Sequence, residues 1–254
     1  MKKFLTTLKG KWPEYLLEIF VLIVGIYGAF ALESWNEERK DLKLEQKYLQ
    51  SLKIELNRDL KRLNELKKVR QTSNESAWLM LNTEHITPSY EEVRKFNVAL
   101  MKVGFWHEFV PNDNTFKELS NSGNLSLFRN DSVKIGLLTM EALNDEIISS
   151  RNHMRREFDQ YIYDELIHFN EFALFDYEHM VKEGKMDIKY LDTLDSEIIV
   201  SLAAESNEIL RNKIIRNGFK LSILNASYLL ELYEQMVNQI QQTINHINQS
   251  LEEK

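Results

Sequence analysis

Apolar side chains recur along most of this chain at intervals of three and four residues, which places them on one face of an α-helix. No helix breaker interrupts the first stripe before Thr87 and Pro88, so the pattern predicts one helix that ends near Leu81. We expect this helix to continue directly from the apolar segment that precedes it. The stripe consists of Leu49, Leu52, Leu56, Leu60, Leu63 and Leu66.

Capping residues mark the helices that follow. Thr87 and Pro88 predict a helix start, and Gly104 predicts its end. A brief helix over residues 115–121 should close at Gly123 in the left-handed conformation that favours glycine. Asn130 or Asp131 should then cap a long helix that runs from about Ser132 to His168.

The last part of the chain returns to a helical pattern after a predicted loop at residues 174–195. From Asp195 a long apolar seam extends to the C-terminus, with a kink expected at Asn217 and Gly218. Its members are Ile214, Leu221, Leu224, Tyr228, Leu232, Met236, Ile240, Ile244, Ile247 and Leu251.

Three long amphipathic helices must cover one another's apolar stripes. The economical arrangement is an elongated antiparallel bundle of these three helices plus shorter ones, with packing like that of a coiled coil. The sequence therefore predicts an all-α protein in which residues 33–254 form one helical-bundle domain.

Residues 15–32 form an apolar segment of a different kind. An 18-residue helix is about 27 Å long, close to the thickness of a bilayer's hydrocarbon core. Trp12 and Trp35 flank it as interfacial anchors, and the lysines before it favour a cytoplasmic N-terminus. We expect a basic cytoplasmic tail at 1–14, a transmembrane helix at 15–32 and an extracytoplasmic domain. The alternative is a signal peptide cleaved after the small residues Ala29 and Ala31.

One face of this span is chemically distinct, because it carries Glu18, Leu22, Gly25 and Ala29. Gly25 and Ala29 are small residues four apart, which allows two helix backbones to approach. One interpretation is a surface for self-association or for a partner helix. The others are that Glu18 snorkels to the interface, or that it conducts protons or ions.

Composition narrows the function classes. The chain has 8 Gly, 3 Pro and no Cys, which favours helices and excludes disulfides and thiolate chemistry. Its net charge is −7, and residues 1–32 hold four lysines and two glutamates, so the remainder carries −9. Nucleic acid is a poor partner for so acidic a domain.

No catalytic constellation is evident. Glu165 and His168 share a helix face, as in di-iron bundles, but a second such pair is missing and an ordinary polar face explains them. His107 lies in an aromatic connector and fits a packed loop histidine. We expect no enzymatic activity, no cofactor and no metal.

The segment from Asn114 to Asn130 is the other candidate surface, because it is a loop rich in Asn, Ser and Gly. Asn114, Ser122, Gly123 and Asn124 are its candidate contact residues. The competing interpretation is an elbow in which these side chains cap helices.

In one stretch, Glu18 opens the apolar run Ile19–Ile26, and Trp35-Asn36 follows; in another, Asn114–Leu119 precedes Ser122–Leu127 and Asn130. The two stretches resemble a family of uncharacterised single-pass membrane proteins common in Bacteroidota. Tyr27 and Phe30 depart from the family's plainer aliphatic residues. The resemblance implies a bacterial inner (cytoplasmic) membrane protein with a periplasmic domain. Because the family has no assigned activity, the resemblance does not indicate a biochemical function.

Together these features favour a membrane-anchored scaffold or accessory subunit that acts through protein–protein contacts. Its expected partners are the lipid bilayer and either copies of itself or another membrane protein. The alternative is a ligand-binding sensor bundle. Because the expected cytoplasmic tail is too short for a signalling domain, such a sensor would signal through a partner's membrane helix.

Overall fold

The computed structural model describes residues 2–104, 106–169, 175–176, 178–179, 181 and 193–252, and within residues 2–14 it describes only the side chain of Trp12. It is 87% helical, and the described ranges contain no strand. The predicted all-α class is therefore confirmed. The predicted loop at 174–195 lies almost wholly outside the described residues.

The predicted continuous first helix is present, since α1 runs without a break over Lys2–Asn82. Its apolar stripe is buried from Tyr48 to Leu66. Residues 15–40 are exposed along the same helix. α1 thus has two parts. Residues 15–40, called the bare rod below, are not covered by the described rest of the fold, and the following residues form one wall of the helical bundle.

The short helix α2 (Tyr90–Gly104) packs against the C-terminal end of α1. It begins two residues later than the sequence predicts, because Ser89 caps it by accepting the backbone N–H of Glu92. The Glu92 carboxylate accepts the N–H of Thr87 at 2.7 Å, which lowers the pKa of this carboxyl group. The bond to Ser89 satisfies one of the donors that the first helical turn leaves open.

An extended connector (106–113) and the brief helix α3 (Asn114–Ser122) lead the chain back towards the bare rod. The predicted left-handed cap is confirmed, with Gly123 at φ 73°. A 3₁₀ turn, Asn124–Leu127, follows. Asn130 then caps the next helix by accepting the N–H of Ser132 at 3.0 Å, as predicted.

The second wall of the bundle is α4 (Asp131–Phe158), which passes into a π-helical segment, Asp159–Tyr163, and a last turn, α5 (Asp164–Leu166). α6 (Ser196–Arg211) packs on α2, and Asn212 separates it from α7 (Lys213–Glu252). α7 continues as one helix through Asn217 and Gly218, where the sequence predicts a kink, and the break between α6 and α7 falls at Asn212.

Helix α7 organises the bundle because α1 and α4 both pack against it, whereas α1 and α4 have few contacts with each other. α7 runs antiparallel to the other two. Asn225 donates to Glu157, and Ser250 accepts from Asn130, which fixes its direction against α4. Arg216 Nη2 donates to the Leu81 carbonyl at 3.1 Å, which fixes its direction against α1.

The buried apolar residues form two clusters along the bundle. The near cluster, adjacent to the bare rod, joins α1, α3, α4 and the second half of α7. The far cluster joins the end of α1 with α2, α6, the π segment and the start of α7.

Candidate functional site

The four candidate residues of the apolar segment lie together on one face of α1, as the sequence predicts. Glu18, Leu22, Gly25 and Ala29 are all exposed. A methyl group added at Gly25 would meet nothing within 4 Å. No other described part of the chain covers this face, so it is open to lipid or to a second helix.

α1 has the length and composition to cross a membrane. An 18-residue window in its N-terminal part has a mean hydropathy of 2.2, and none of that window is buried in the fold. It is the one helix with these properties in the described part of the chain.

The second candidate surface includes the C-terminal cap of α3. Ser122 Oγ donates to the Glu118 carbonyl at 2.7 Å, and Gly123 supplies the left-handed residue that ends α3. Asn114 is the exposed first residue of α3, and Asn124 begins the 3₁₀ turn half-buried. Of these four residues, Gly123 caps a helix, and Ser122 bonds to a carbonyl of its own helix.

One member of the candidate metal pair, Glu165, has a hydrogen-bond partner outside its own helix. Glu165 accepts a hydrogen bond from Asn212 Nδ2 at 3.2 Å, which ties α5 to the start of α7. Among the residues described, no cluster of three or more His, Asp or Glu side chains could hold a metal ion.

The structure reveals a site that the sequence did not predict, a cleft between α1 and α4. Because both helices pack on α7 and have few contacts with each other, a gap remains between them. α3 and the connector lie over this gap and leave a cavity of about 270 Å³. That volume lies just below the usual range for small-molecule pockets.

The interior of the cleft is apolar. Four helical segments and the connector contribute side chains, all of them buried in the fold. They are Leu52, Leu56, Phe109, Phe116, Leu137, Met140, Met236 and Ile240.

The polar part of the cleft is strongly acidic. Five carboxylates line it, against one lysine. The lysine already forms an ion pair, because Lys117 Nζ lies 2.8 Å from a carboxylate oxygen of Asp113. The other four acids are Glu55 and Asp59 on α1, and Glu141 and Asp145 on α4.

Asp59 is the buried member of this set, with 4% of its surface exposed. Both its carboxylate oxygens accept the backbone N–H of Asn112 at 3.0 Å. Burial raises the pKa of Asp59, the hydrogen bonds from Asn112 oppose that rise, and the charges of Glu55 and Asp113 add to it. Asp59 thus places a desolvated carboxyl group beside the cavity.

The side-chain oxygen of Asn144 is a hydrogen-bond acceptor for which the described residues supply no donor. This Oδ1 atom is buried and forms no hydrogen bond within the described residues, and the residue lines the same cleft. Such buried orphan acceptors are rare, and each one requires an explanation.

A weak sequence signal for this site did exist. Glu55 and Asp59, and likewise Glu141 and Asp145, are acidic pairs four residues apart. Like charges at this spacing destabilise a helix by about 0.2–0.5 kcal/mol. The sequence does not show that both pairs face one gap, because that depends on how α1 and α4 pack.

Comparison with known proteins adds nothing to this picture, since no family model, no curated protein and no solved structure matches the chain.

Proposed function

We propose that this protein is a membrane-anchored scaffold or accessory subunit that acts through protein–protein contacts, with its association surface on the span of α1. The observation that carries the proposal is the uncovered face of Glu18, Leu22, Gly25 and Ala29. In a bilayer, small residues on such a face permit close helix packing. Glu18 adds a carboxyl group that favours a hydrogen-bonded partner over lipid.

The proposed setting is the bacterial inner membrane, with the N-terminus in the cytoplasm and the bundle in the periplasm. The lysine-rich start of the chain supports this orientation, and so does the resemblance to single-pass proteins of Bacteroidota. The continuity of α1 supports the scaffold role. A helix that passes unbroken from span to bundle transmits the rotation of an associated span to the whole domain.

The test is the oligomeric mass of the full-length protein in mild detergent, combined with crosslinking in membranes. We expect a homo-oligomer or a stable complex with a membrane partner. Gly25→Leu should disrupt it by forcing the backbones apart, and Glu18→Gln should weaken it by replacing the carboxyl group. A strict monomer recovered without partners would refute the proposal.

Ala31→Leu is the matched control. It makes a similar small-to-large change, but residue 31 lies about 220° around the helix from Glu18. Association that is lost equally in Gly25→Leu and Ala31→Leu would not come from the proposed face.

A second candidate function is that of a sensor that binds a ligand in the bundle and signals through a partner's membrane helix. The cleft between α1 and α4 favours it, because a ligand there would contact α1 directly. Such a protein would need the same span face to pass the signal on.

A further inference from the structure

We propose that the cleft between α1 and α4 binds a small organic cation, a protonated amine attached to an apolar aryl or alkyl body. The proposal does not depend on association of the spans. It names the ligand class that the sensor candidate would require.

The first argument is the shape of the cavity. The gap exists because α7 holds α1 and α4 apart while α3 and the connector cover it. Buried leucine, methionine, isoleucine and phenylalanine side chains form its interior. A void of this size in a close-packed protein gives up dispersion contacts, which an apolar ligand body would restore.

The second argument is the charge of the lining. After the Lys117–Asp113 ion pair is set aside, four carboxylates remain without a basic residue among the lining side chains. They come as two like-charged pairs on facing helices, Glu55 with Asp59 and Glu141 with Asp145. A cation placed between the pairs would relieve repulsion within both, whereas an anion would increase it.

The third argument is the orphan acceptor. Asn144 lies one residue before Asp145 on α4, and its buried Oδ1 lacks a donor within the described residues. An ammonium group carries up to three N–H donors and no acceptor. It can donate a hydrogen bond to this amide oxygen, which a neutral hydrocarbon cannot do.

The experiment is isothermal titration calorimetry on the full-length protein in non-ionic detergent, with empty micelles as the blank. Three probes share one body and differ in charge: phenethylamine, 2-phenylethanol and phenylacetate. We expect phenethylamine to bind with a Kd on the order of 0.1–1 mM, as its few heavy atoms allow. 2-Phenylethanol should bind about tenfold more weakly, and phenylacetate more weakly still.

Variants locate the binding to the cleft. Glu141→Gln combined with Asp145→Asn changes only exposed side chains of α4, so the fold should persist, and phenethylamine binding should weaken about fivefold. Asp59→Asn should weaken it about tenfold, because this carboxylate is buried. Glu231→Gln, which removes an exposed charge of α7 outside the cleft, should leave the Kd unchanged.

Three results would overturn the proposal. One is no binding of phenethylamine up to about 10 mM, well above the expected Kd. Another is equal affinity for the amine and the alcohol, which would indicate apolar partitioning alone. The last is an amine Kd that is the same in the Glu141→Gln/Asp145→Asn variant as in the unmodified protein.

Discussion

Gly136 on α4 faces Thr243 on α7 so closely that a Cβ atom at position 136 would lie 2.3 Å from Thr243 Oγ1. Thr243 is fully buried, and its hydroxyl donates to the Gln239 carbonyl at 2.9 Å. The two helices therefore approach at a point where only glycine fits. This contact sets the spacing of α4 and α7 in the near cluster.

We predict that Gly136→Ala destabilises the fold by about 1–3 kcal/mol, the usual cost of overpacking a core. The measurement is urea unfolding of the full-length protein in detergent, followed by circular dichroism.

Thr243→Ala is the rescue partner, because it removes both atoms that lie nearest to the new methyl group. The double variant should be more stable than the sum of the two single effects implies, which a double-mutant cycle measures as a favourable coupling. Additive effects would show that the close approach does not limit packing.

Gly218 has a corresponding role at the far end. A Cβ atom there would lie 2.8 Å from the carbonyl oxygen of Tyr161, in the π segment. Backbone cannot move aside as a flexible side chain can, so Gly218→Ala should cost about 1–3 kcal/mol. The same unfolding measurement checks it, with Gly25→Ala as the control, because position 25 has open space. Equal stability of both variants would contradict the contact.

Features set by local chemistry could be predicted from the sequence. The end of α1, the left-handed Gly123 and the Asn130 cap all depend on a few neighbouring residues, and all three are confirmed. The uncovered span face also follows from helical spacing alone.

Features that depend on how the helices pack could not be predicted from the sequence. The predicted seam of α7 is correct from Leu232 onward but wrong before it, where Ile214 and Leu224 are exposed. This part of α7 has two apolar faces, and the one through Ile215 and Phe219 is buried because α6 and the π segment lie against it. Periodicity alone cannot choose between two such faces.

Tyr228, also in the predicted seam, is half exposed, and its hydroxyl donates to Glu146 at 2.6 Å. The cleft escaped prediction for the same reason as the seam. Its lining comes from α1, the connector, α3, α4 and α7, which come together only in the folded bundle.

Asp59 should give the fold an unusual pH dependence. Its pKa is raised above the ordinary value of 3.8, so the folded protein holds this proton more tightly than the unfolded chain does. Its contribution to stability therefore falls as pH rises from about 3.8 through the folded-state pKa, and it is constant above that. Most carboxylates in folded proteins act in the opposite direction.

Asp59→Asn isolates this effect. We expect the unfolding free energy of the unmodified protein, minus that of the variant, to decrease over this pH range and then to level off. Urea unfolding between about pH 3.5 and 7 measures the difference, and other carboxylates cancel because both proteins contain them. A difference that increases with pH would mean that the hydrogen bonds from Asn112 outweigh burial.

The junction of the two clusters holds two arginines beside one indole ring. The guanidinium carbon of Arg70 lies 4.8 Å from the ring centroid of Trp106, and that of Arg155 lies 5.4 Å from it. Arg70 is buried and donates through Nη2 to the His107 carbonyl, whereas the Arg155 side chain is about half exposed and pairs with Asp159.

We predict that Arg70→Met destabilises the fold by about 1–3 kcal/mol, because it leaves the part-buried His107 carbonyl without its donor and removes the cation–π contact. Arg155→Met, the matched control at the same ring, should cost about 0.5–1 kcal/mol, as expected for an exposed cation–π pair. Thermal and urea unfolding of both variants measure this difference. Equal losses would show that the ring contact, and not the buried hydrogen bond that ties α1 to the connector, makes Arg70 important.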